Sequence, residues 1–246
     1  MLGRKQAIKA RQILAVLKGV SGDKSAQPED QTEIRMLYGD ARQIVPTLQD
    51  DSISCLLTDP PWQVEFDEKF GSDKHTGLAI TQQVLALAYP KLQEGSLCWM
   101  FCATKHLMRG TIFNIVQSCG YRIYDQVLIW YKPHVAHSSH PYRELKNDYE
   151  PAFFFSKGEP RDLLKPMFAV WLEVMQGRKL HNAQKPLGLL KFLIEQSTVK
   201  NEIVLDPFMG SGTTMQAAKL TGRRGVGIES IQDTYNLAKA ELVLTK

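Results

Sequence analysis

Four consecutive residues, Asp59-Pro60-Pro61-Trp62, follow the apolar run Ile53 to Leu57 and Thr58. Two adjacent prolines stiffen the backbone and remove two N–H donors from the turn. A carboxylate and the Pro60 carbonyl fixed side by side can each accept a hydrogen bond from one NH2 group. That arrangement suits an exocyclic amino group on an aromatic ring, whose nitrogen lone pair is delocalised and weakly nucleophilic. Two acceptors on its hydrogens favour a tetrahedral nitrogen with the lone pair aimed at an electrophile. The Trp62 ring offers a stacking face for a base taken out of its helix, worth about 1–3 kcal/mol. A Pro-Pro turn with an aromatic packed below it is the architectural alternative.

A second run, Val204-Leu205-Asp206-Pro207-Phe208-Met209-Gly210-Ser211-Gly212-Thr213-Thr214, leads into a helical stretch. A strand, a glycine-containing turn and a helix start form a loop of the nucleotide-cofactor type. A phosphate-cradling loop would carry Lys after its second glycine, where this chain has Thr213. Asp206 at the strand tip would also repel phosphate, yet it suits a cationic ligand such as the methionine portion of S-adenosylmethionine. Further on, Gly225-Val226-Gly227-Ile228-Glu229-Ser230 places an acidic residue at the end of the next strand, where ribose hydroxyls are bound in Rossmann-like sites. An exposed charge opening a helix is the plainer reading of Glu229.

These residues need elements to position them. Ile34–Tyr38 and Ile53–Leu57 read as strands, with helical spacing over Ala41–Leu48 between them, a βαβ pattern. Residues 63–77 read as a loop. Leu78–Leu92 is expected to be helical, Ser96–Cys102 a strand after a turn at Glu94-Gly95, and Lys105–Ser118 one helix. Tyr124–Tyr131 and Glu150–Phe155 suggest a hairpin around the polar loop 132–148. Residues 157–180 read as irregular. Leu187–Gln196, Gly212–Leu220 and Thr234–Leu244 are expected helices, and Glu202–Leu205 and Gly225–Ile228 strands. Strands alternating with helices imply a parallel sheet covered on both faces. Asp40, Asp59, Asp206 and Glu229 each fall at or just after a strand end, so all four converge on one edge of that sheet.

The chain has 246 residues, 43% hydrophobic and 23% charged, enough for one large domain. A formal charge of +4 allows a polyanionic partner without requiring one. The start carries Arg4, Lys5, Lys9, Arg11 and Lys18 with Ile8, Ile13, Leu14 and Leu17 at helical spacing. It lacks the continuous apolar core of a signal peptide, and reads as a solvated basic helix, a nucleic-acid arm or a transit segment. With the polar linker 21–32 it forms a segment, 1–32, ahead of a catalytic domain over 33–246. Cys55, Cys98, Cys102 and Cys119 form no Cys-x-x-Cys pair and read as free thiols. A reducing, cytoplasmic compartment is expected, with no membrane span.

The two motifs together resemble the β-class, permuted-order DNA amino methyltransferases of the adenine-N6/cytosine-N4 type. In that order the Asp-Pro-Pro-aromatic motif precedes the cofactor loop. His181-Asn182-Ala183-Gln184-Lys185-Pro186 resembles the family's His-x-x-x-Lys-Pro segment, and Gly39-Asp40 the position that meets the cofactor's adenine. Leu92–Cys102 and Tyr149-Glu150 through Lys157-Gly158 match less diagnostic patterns. The resemblance spans about residues 34–245. It implies a Rossmann-like fold with a seven-stranded, mostly parallel sheet, S-adenosylmethionine as cofactor and double-stranded DNA as partner. It also implies direct SN2 transfer to a flipped base, with Asp59, Pro60, Pro61 and Trp62 catalytic. Cofactor contacts would come from Asp40, Asp59, His181, Asn182, Lys185, Asp206, Pro207, Phe208, Gly210, Ser211, Gly212, Thr213, Thr214, Glu229 and Ser230. Family enzymes acting on adenine usually have Asp at the first catalytic position and those acting on cytosine N4 usually Ser, so Asp59 favours N6 of adenine. Trp62 replaces the commoner Tyr.

The family's target-recognition region would lie within 157–180, too short for a separate folded domain. Readout must come from the loops 63–77 and 132–148, the basic start, or a partner subunit; a homodimer is equally compatible. In the second loop Lys132, His134, His137, Arg143 and Lys146 could contact phosphates. With His140 the histidines are three apart, but no Cys accompanies them and Pro141 breaks a helix face, so no metal is expected. Alternatives are N4-cytosine DNA or N6-adenine RNA methylation, a catalytically silent nucleic-acid-binding subunit, and a metabolic Rossmann-like enzyme. The last leaves Asp-Pro-Pro-Trp without an explanation.

Overall fold

The segments Cys55–Leu57 and Leu97–Phe101 are continuous apolar runs, which fits strands buried on both faces. The computed structural model of the protein describes residues 33–61, 76–133, 142–143, 145, 148–173 and 184–245. The basic start and its linker, residues 1–32, lie outside them. In chain order the elements are β1 (Ile34–Tyr38), α1 (Ala41–Ile44, prolonged by one 3-10 turn), β2 (Ile53–Thr58), α2 (Thr76–Ala88) and β3 (Leu92–Phe101). Next come α3 (Thr104–Met108), α4 (Thr111–Ser118), β4 (Arg122–Tyr131), β5 (Tyr149–Ser156) and β6 (Val170–Leu172). The chain continues with α5 (Leu187–Ser197), β7 (Ile203–Asp206), α6 (Thr213–Leu220), β8 (Arg224–Glu229) and α7 (Gln232–Leu244).

The strands form one sheet in the order β1-β8-β7-β2-β3-β5-β4-β6. Every pairing is parallel except the two made by β5. Period-two alternation sorts the core onto the two faces. Leu56, Met100, Phe153 and Phe155 pack with Val84 and Leu85 of α2 and Ile112 of α4. Cys55, Leu57, Trp99 and Phe101 pack with Leu189 and Leu193 of α5 and Ala217 and Ala218 of α6. At the centre β2 lies beside β7, although the two are far apart in sequence. From there the chain winds outward to β3 on one side and to β8 and β1 on the other. This reversal of strand order opens a crevice at the carboxyl ends.

Three details differ from the sequence expectation. The sheet has eight strands instead of seven, because Val170–Leu172 within the supposedly irregular 157–180 pairs with β4. Three residues, two of them exposed, are too few to show a pattern. The expected helix 105–118 is two helices, divided where Gly110 takes a left-handed conformation, φ +69°. Finally, β3 begins at Leu92, and the expected Glu94-Gly95 turn is an irregularity within the strand, where the register with β2 shifts.

Candidate active site

The crevice holds a cleft of about 480 Å³ lined by both sequence motifs. Gly39 and Asp40 after β1, Asp59, Pro60 and Pro61 after β2, Asp206 to Ser211 from the last residue of β7 onward, and Glu229 and Ser230 from the last residue of β8 onward all face it, as do Lys185, Thr213 and Thr214. Parallel pairing sets these tips side by side: Asp206 is level with Gly227, and Tyr38 with Glu229.

Asp206 is 3% exposed. Its Oδ1 accepts from Thr58 Oγ1 at 2.8 Å and from the Phe208 N–H at 3.1 Å. Burial pushes its carboxyl up to about 6, against the opposing hydrogen bonds from Thr214, Thr58 and Phe208, and the nearby Asp59 charge adds to the rise. Glu229 is pinned at both oxygens: Gly210 N–H donates to Oε2 at 3.1 Å and Ile231 N–H to Oε1 at 2.7 Å. The loops entering α6 and α7 are thus both tied to this carboxylate.

The glycine loop lies close because its neighbours lack side chains. A Cβ on Gly227 of β8 would stand 2.5 Å from Met209 Sδ. Gly212 caps α6 at φ +81°, with a Cβ position 3.0 Å from both Ala238 Cβ and Met36 Cε. Only glycine meets both demands without strain. At Gly210 the Cβ position is open, with nothing within 4 Å, so a ligand can approach the backbone.

Asp40 caps α1 by accepting from the Arg42 N–H at 2.8 Å, and it also receives the Arg42 guanidinium at 2.6 Å. That side-chain hydrogen bond holds its carboxyl below the usual range despite partial burial. On the other side of the cleft, Lys185 Nζ donates to Asp59 Oδ2 at 2.5 Å and lies 3.1 Å from Glu150 Oε2. Lys132 Nζ donates to Glu150 Oε1 at 2.8 Å. Burial opposes the charge on Lys185, but Asp59 and Glu150 outweigh it and hold the ammonium above its ordinary pKa. Burial likewise opposes the charge on Glu150, and Lys185 and Lys132 overcome it, leaving the carboxyl low.

The lining residues suit the expected cofactor. Asp40, Asp59, Asp206 and Glu229 face the cleft, against the cations Arg42 and Lys185. This excess of negative charge favours a cationic nucleoside and disfavours a polyphosphate. Phe208, Ile228, Ile231 and Leu190 supply apolar wall. Among the described residues, no group of His, Cys, Asp and Glu side chains is arranged to hold a metal.

Of the residues singled out from sequence, Asp40, Asp59, Pro60, Pro61, Lys185, Asp206, Pro207, Phe208, Gly210, Ser211, Thr213, Thr214, Glu229 and Ser230 line one cleft. Gly212 supports it from behind as the cap of α6. Lys185 meets the catalytic-motif side, where its ammonium bridges Asp59 and Glu150. The Lys132 ammonium is turned onto Glu150, with the side chain 17% exposed, and Arg143 is exposed. Trp62, His134, His137, Lys146, His181 and Asn182 lie outside the described residues. Sequence reasoning passed over Glu150 and Arg42. Glu150 left a signal: an acidic residue inside the aromatic strand Tyr149-Glu150-Pro151-Ala152-Phe153-Phe154-Phe155 needs a cation nearby.

Comparison with known proteins agrees with this geometry. Residues 53–240 match the N6/N4 methyltransferase family, described as DNA methylase. YubD of Escherichia coli (strain K12), a methylase by name, is 30% identical over 217 residues, covering 85% of this chain and 89% of that protein. The type II methyltransferase M2.MboI of Moraxella bovis is 26% identical over 245 residues, covering 85% and 88%. Among solved structures, the M1.HpyAVI–S-adenosylmethionine complex superposes with a TM-score of 0.65 at 26% identity, covering 85% of this chain and 99% of that one. The cytosine-N4-specific PvuII DNA methyltransferase shares the fold, with a TM-score of 0.70 at 18% identity, covering 83% and 84%. A cleft walled by both motifs, on a Rossmann-like sheet, is thus found in a chain that belongs to the N6/N4 family of S-adenosylmethionine-dependent DNA methyltransferases.

Proposed function

We propose that the protein methylates N6 of adenine in double-stranded DNA, acting on a base flipped into the cleft. The observation that carries this reading is that Asp59-Pro60-Pro61 and the Asp206–Thr214 loop line one continuous cleft. Asp206 and Glu229 bind the cationic methionine portion and the ribose, and Asp40 faces the adenine end. When bound, S-adenosylmethionine supplies a methyl group on a cationic sulfur that is already a good leaving group. Asp59 and the Pro60 carbonyl each accept a hydrogen bond from one N–H of the target amino group and orient its lone pair; after methyl transfer the cationic nitrogen gives up one of these protons. Trp62 stacks on the base. Positioning therefore does most of the catalytic work. In this reading His181 and Asn182 serve as cofactor contacts and His134, His137, Arg143 and Lys146 as DNA contacts, whereas the Lys132 ammonium is held by Glu150.

No thiol nucleophile is needed, and burial raises the pKa of all four cysteines, Cys119 included. Burial pushes the thiols of Cys55 and Cys102 up to about 12, and that of Cys98 well above its ordinary value. Asp59 at the first catalytic position supports adenine over cytosine.

The test is to incubate the protein with labelled methyl donor and duplex DNA, single-stranded DNA or RNA, then digest and identify the labelled nucleoside. N6-methyladenine from the duplex is expected. N4-methylcytosine would overturn the base assignment, and label in RNA alone would overturn the substrate. No label with any nucleic acid, despite cofactor binding, would mark a silent binding subunit.

A further inference from the structure

The ion pairs on the base side form an alternating ladder that runs across three strand ends. Asp59 follows β2, Lys185 precedes α5, Glu150 lies in β5 and Lys132 follows β4. Their charges alternate, negative, positive, negative, positive, and sum to zero. Lys185 is the shared rung: its ammonium contacts both Asp59 and Glu150, its side chain is only 10% exposed, and the Phe101 ring lies 5.1 Å from the charge. Glu150 is fixed in turn by Lys132, which packs over the Trp130 ring at 5.3 Å.

This geometry poses a problem for the proposed chemistry and also resolves it. A carboxylate engaged by an ammonium at 2.5 Å is a poor acceptor for a neutral amino group. As the amino nitrogen attacks, it gains positive charge, which an uncompensated carboxylate stabilises and a neutralised one does not. The Lys185 ammonium must therefore move off Asp59 as the base arrives. Being buried, it cannot be left without a counter-charge at small cost. Glu150 gives it a second anion already within contact.

We propose that Glu150 is a positioning residue for the methylation reaction: it takes over the Lys185 ammonium when the target amino group docks, freeing an Asp59 oxygen at constant net charge. Glu150 touches neither base nor cofactor in this account and acts through Lys185. Among the described residues, Asp206 at the tip of β7 and Cys102 beyond β3 also feel the Asp59 charge, and neither is a cation.

The inference rests on the reading of Asp59 as the residue that holds the amino group, so that reading is tested first. Wild-type protein and Asp59→Ala are compared in single-turnover methylation of duplex DNA with saturating cofactor. If Asp59→Ala keeps its activity, the reading fails, and the hand-off with it. If activity is lost, Glu150→Gln is measured alone and in a Lys185→Gln background. Alone it should slow the single-turnover rate about tenfold or more while leaving cofactor and DNA dissociation constants within about twofold. With Lys185 replaced there is no ammonium to receive, and adding Glu150→Gln should change the rate by less than about twofold. An undiminished rate in Glu150→Gln, or the same loss in both backgrounds, would overturn the proposal. If Glu150→Gln does not fold, Glu150→Asp takes its place in the same cycle. It too should slow the wild-type background and not the Lys185→Gln one, with the same overturning results.

Discussion

The two sides of the cleft hold their carboxylates in different ways. On the cofactor side, Asp206 and Glu229 are fixed by neutral donors: backbone N–H groups of Phe208, Gly210 and Ile231, and the Thr58 hydroxyl. On the base side, Asp59 and Glu150 are fixed by the ammonium groups of Lys185 and Lys132. Dipoles orient a carboxylate without cancelling its charge, so the field remains available to a cationic ligand. An ion pair keeps the region close to neutral before the base arrives, and the ammonium's shift to Glu150 then leaves Asp59 able to accept from the amino group. Asp40 is intermediate, held by both a backbone N–H and the Arg42 guanidinium. Difference in ligand charge is thus matched by difference in how each anion is tethered.

The sharpest way to break this contrast is Asp59→Ala. Methylation should fall by about 10³-fold or more, as when a group directly orienting the reacting atoms is removed, while cofactor affinity measured by calorimetry stays within about threefold. A parallel loss of cofactor binding would erase the distinction between the two sides.

Asp206→Asn probes the cofactor side through pH. The folded-state value of about 6 lies above the ordinary 3.8. Stability from the neutral carboxyl is therefore fully present below about 4 and lost as pH rises through 6. The difference amounts to roughly 3 kcal/mol as an upper figure. Without cofactor, Asp206→Asn should melt higher than wild type at pH 7.5, and the gap should close toward pH 4. Cofactor should reverse the ranking, because only the charged form attracts its cation. Identical melting curves at both pH values would mean that burial does not penalise this carboxylate.

Glu229→Gln should weaken cofactor binding by about tenfold, roughly 1.4 kcal/mol, because the amide cannot accept both N–H groups and ribose hydroxyls equally well. Single-turnover rate at saturating cofactor should change far less, separating it from Asp59. Gly212→Ala should act on stability alone, with the least effect on either ligand. Strain at φ +81° and close contact with Ala238 and Met36 should cost about 1–2 kcal/mol of stability, read as a lower melting temperature.

The cofactor side was nearly all legible in the sequence, because each part is a contiguous run: a strand, an acid at its tip, then glycines. The runs Ile203–Asp206 and Arg224–Glu229 announce their own placement. The base side was legible only at Asp59-Pro60-Pro61. Its other half is a pairing between Glu150 and Lys185, which no local pattern links, since β5 and the start of α5 meet only once the sheet has formed. Elements whose stability is tertiary were also missed. The short β6 exists because it pairs with β4, and the break between α3 and α4 depends on the left-handed backbone at Gly110, which has no side chain to contribute to a hydrophobic pattern.

The first and last strands described, β1 and β8, are neighbours, with Ile34 opposite Gly225. Because α7 runs back along the sheet, Leu242 near its end packs in the same cluster as Ile34 at the start of β1. The fold is therefore close to circular, and the order of the motifs reflects where the ring is cut. Linking Thr245 to Glu33 and opening the chain between β5 and β6 would put the cofactor loop ahead of Asp59 in sequence. Every strand would keep its neighbours, and the crevice between β2 and β7 would be unaware of the change.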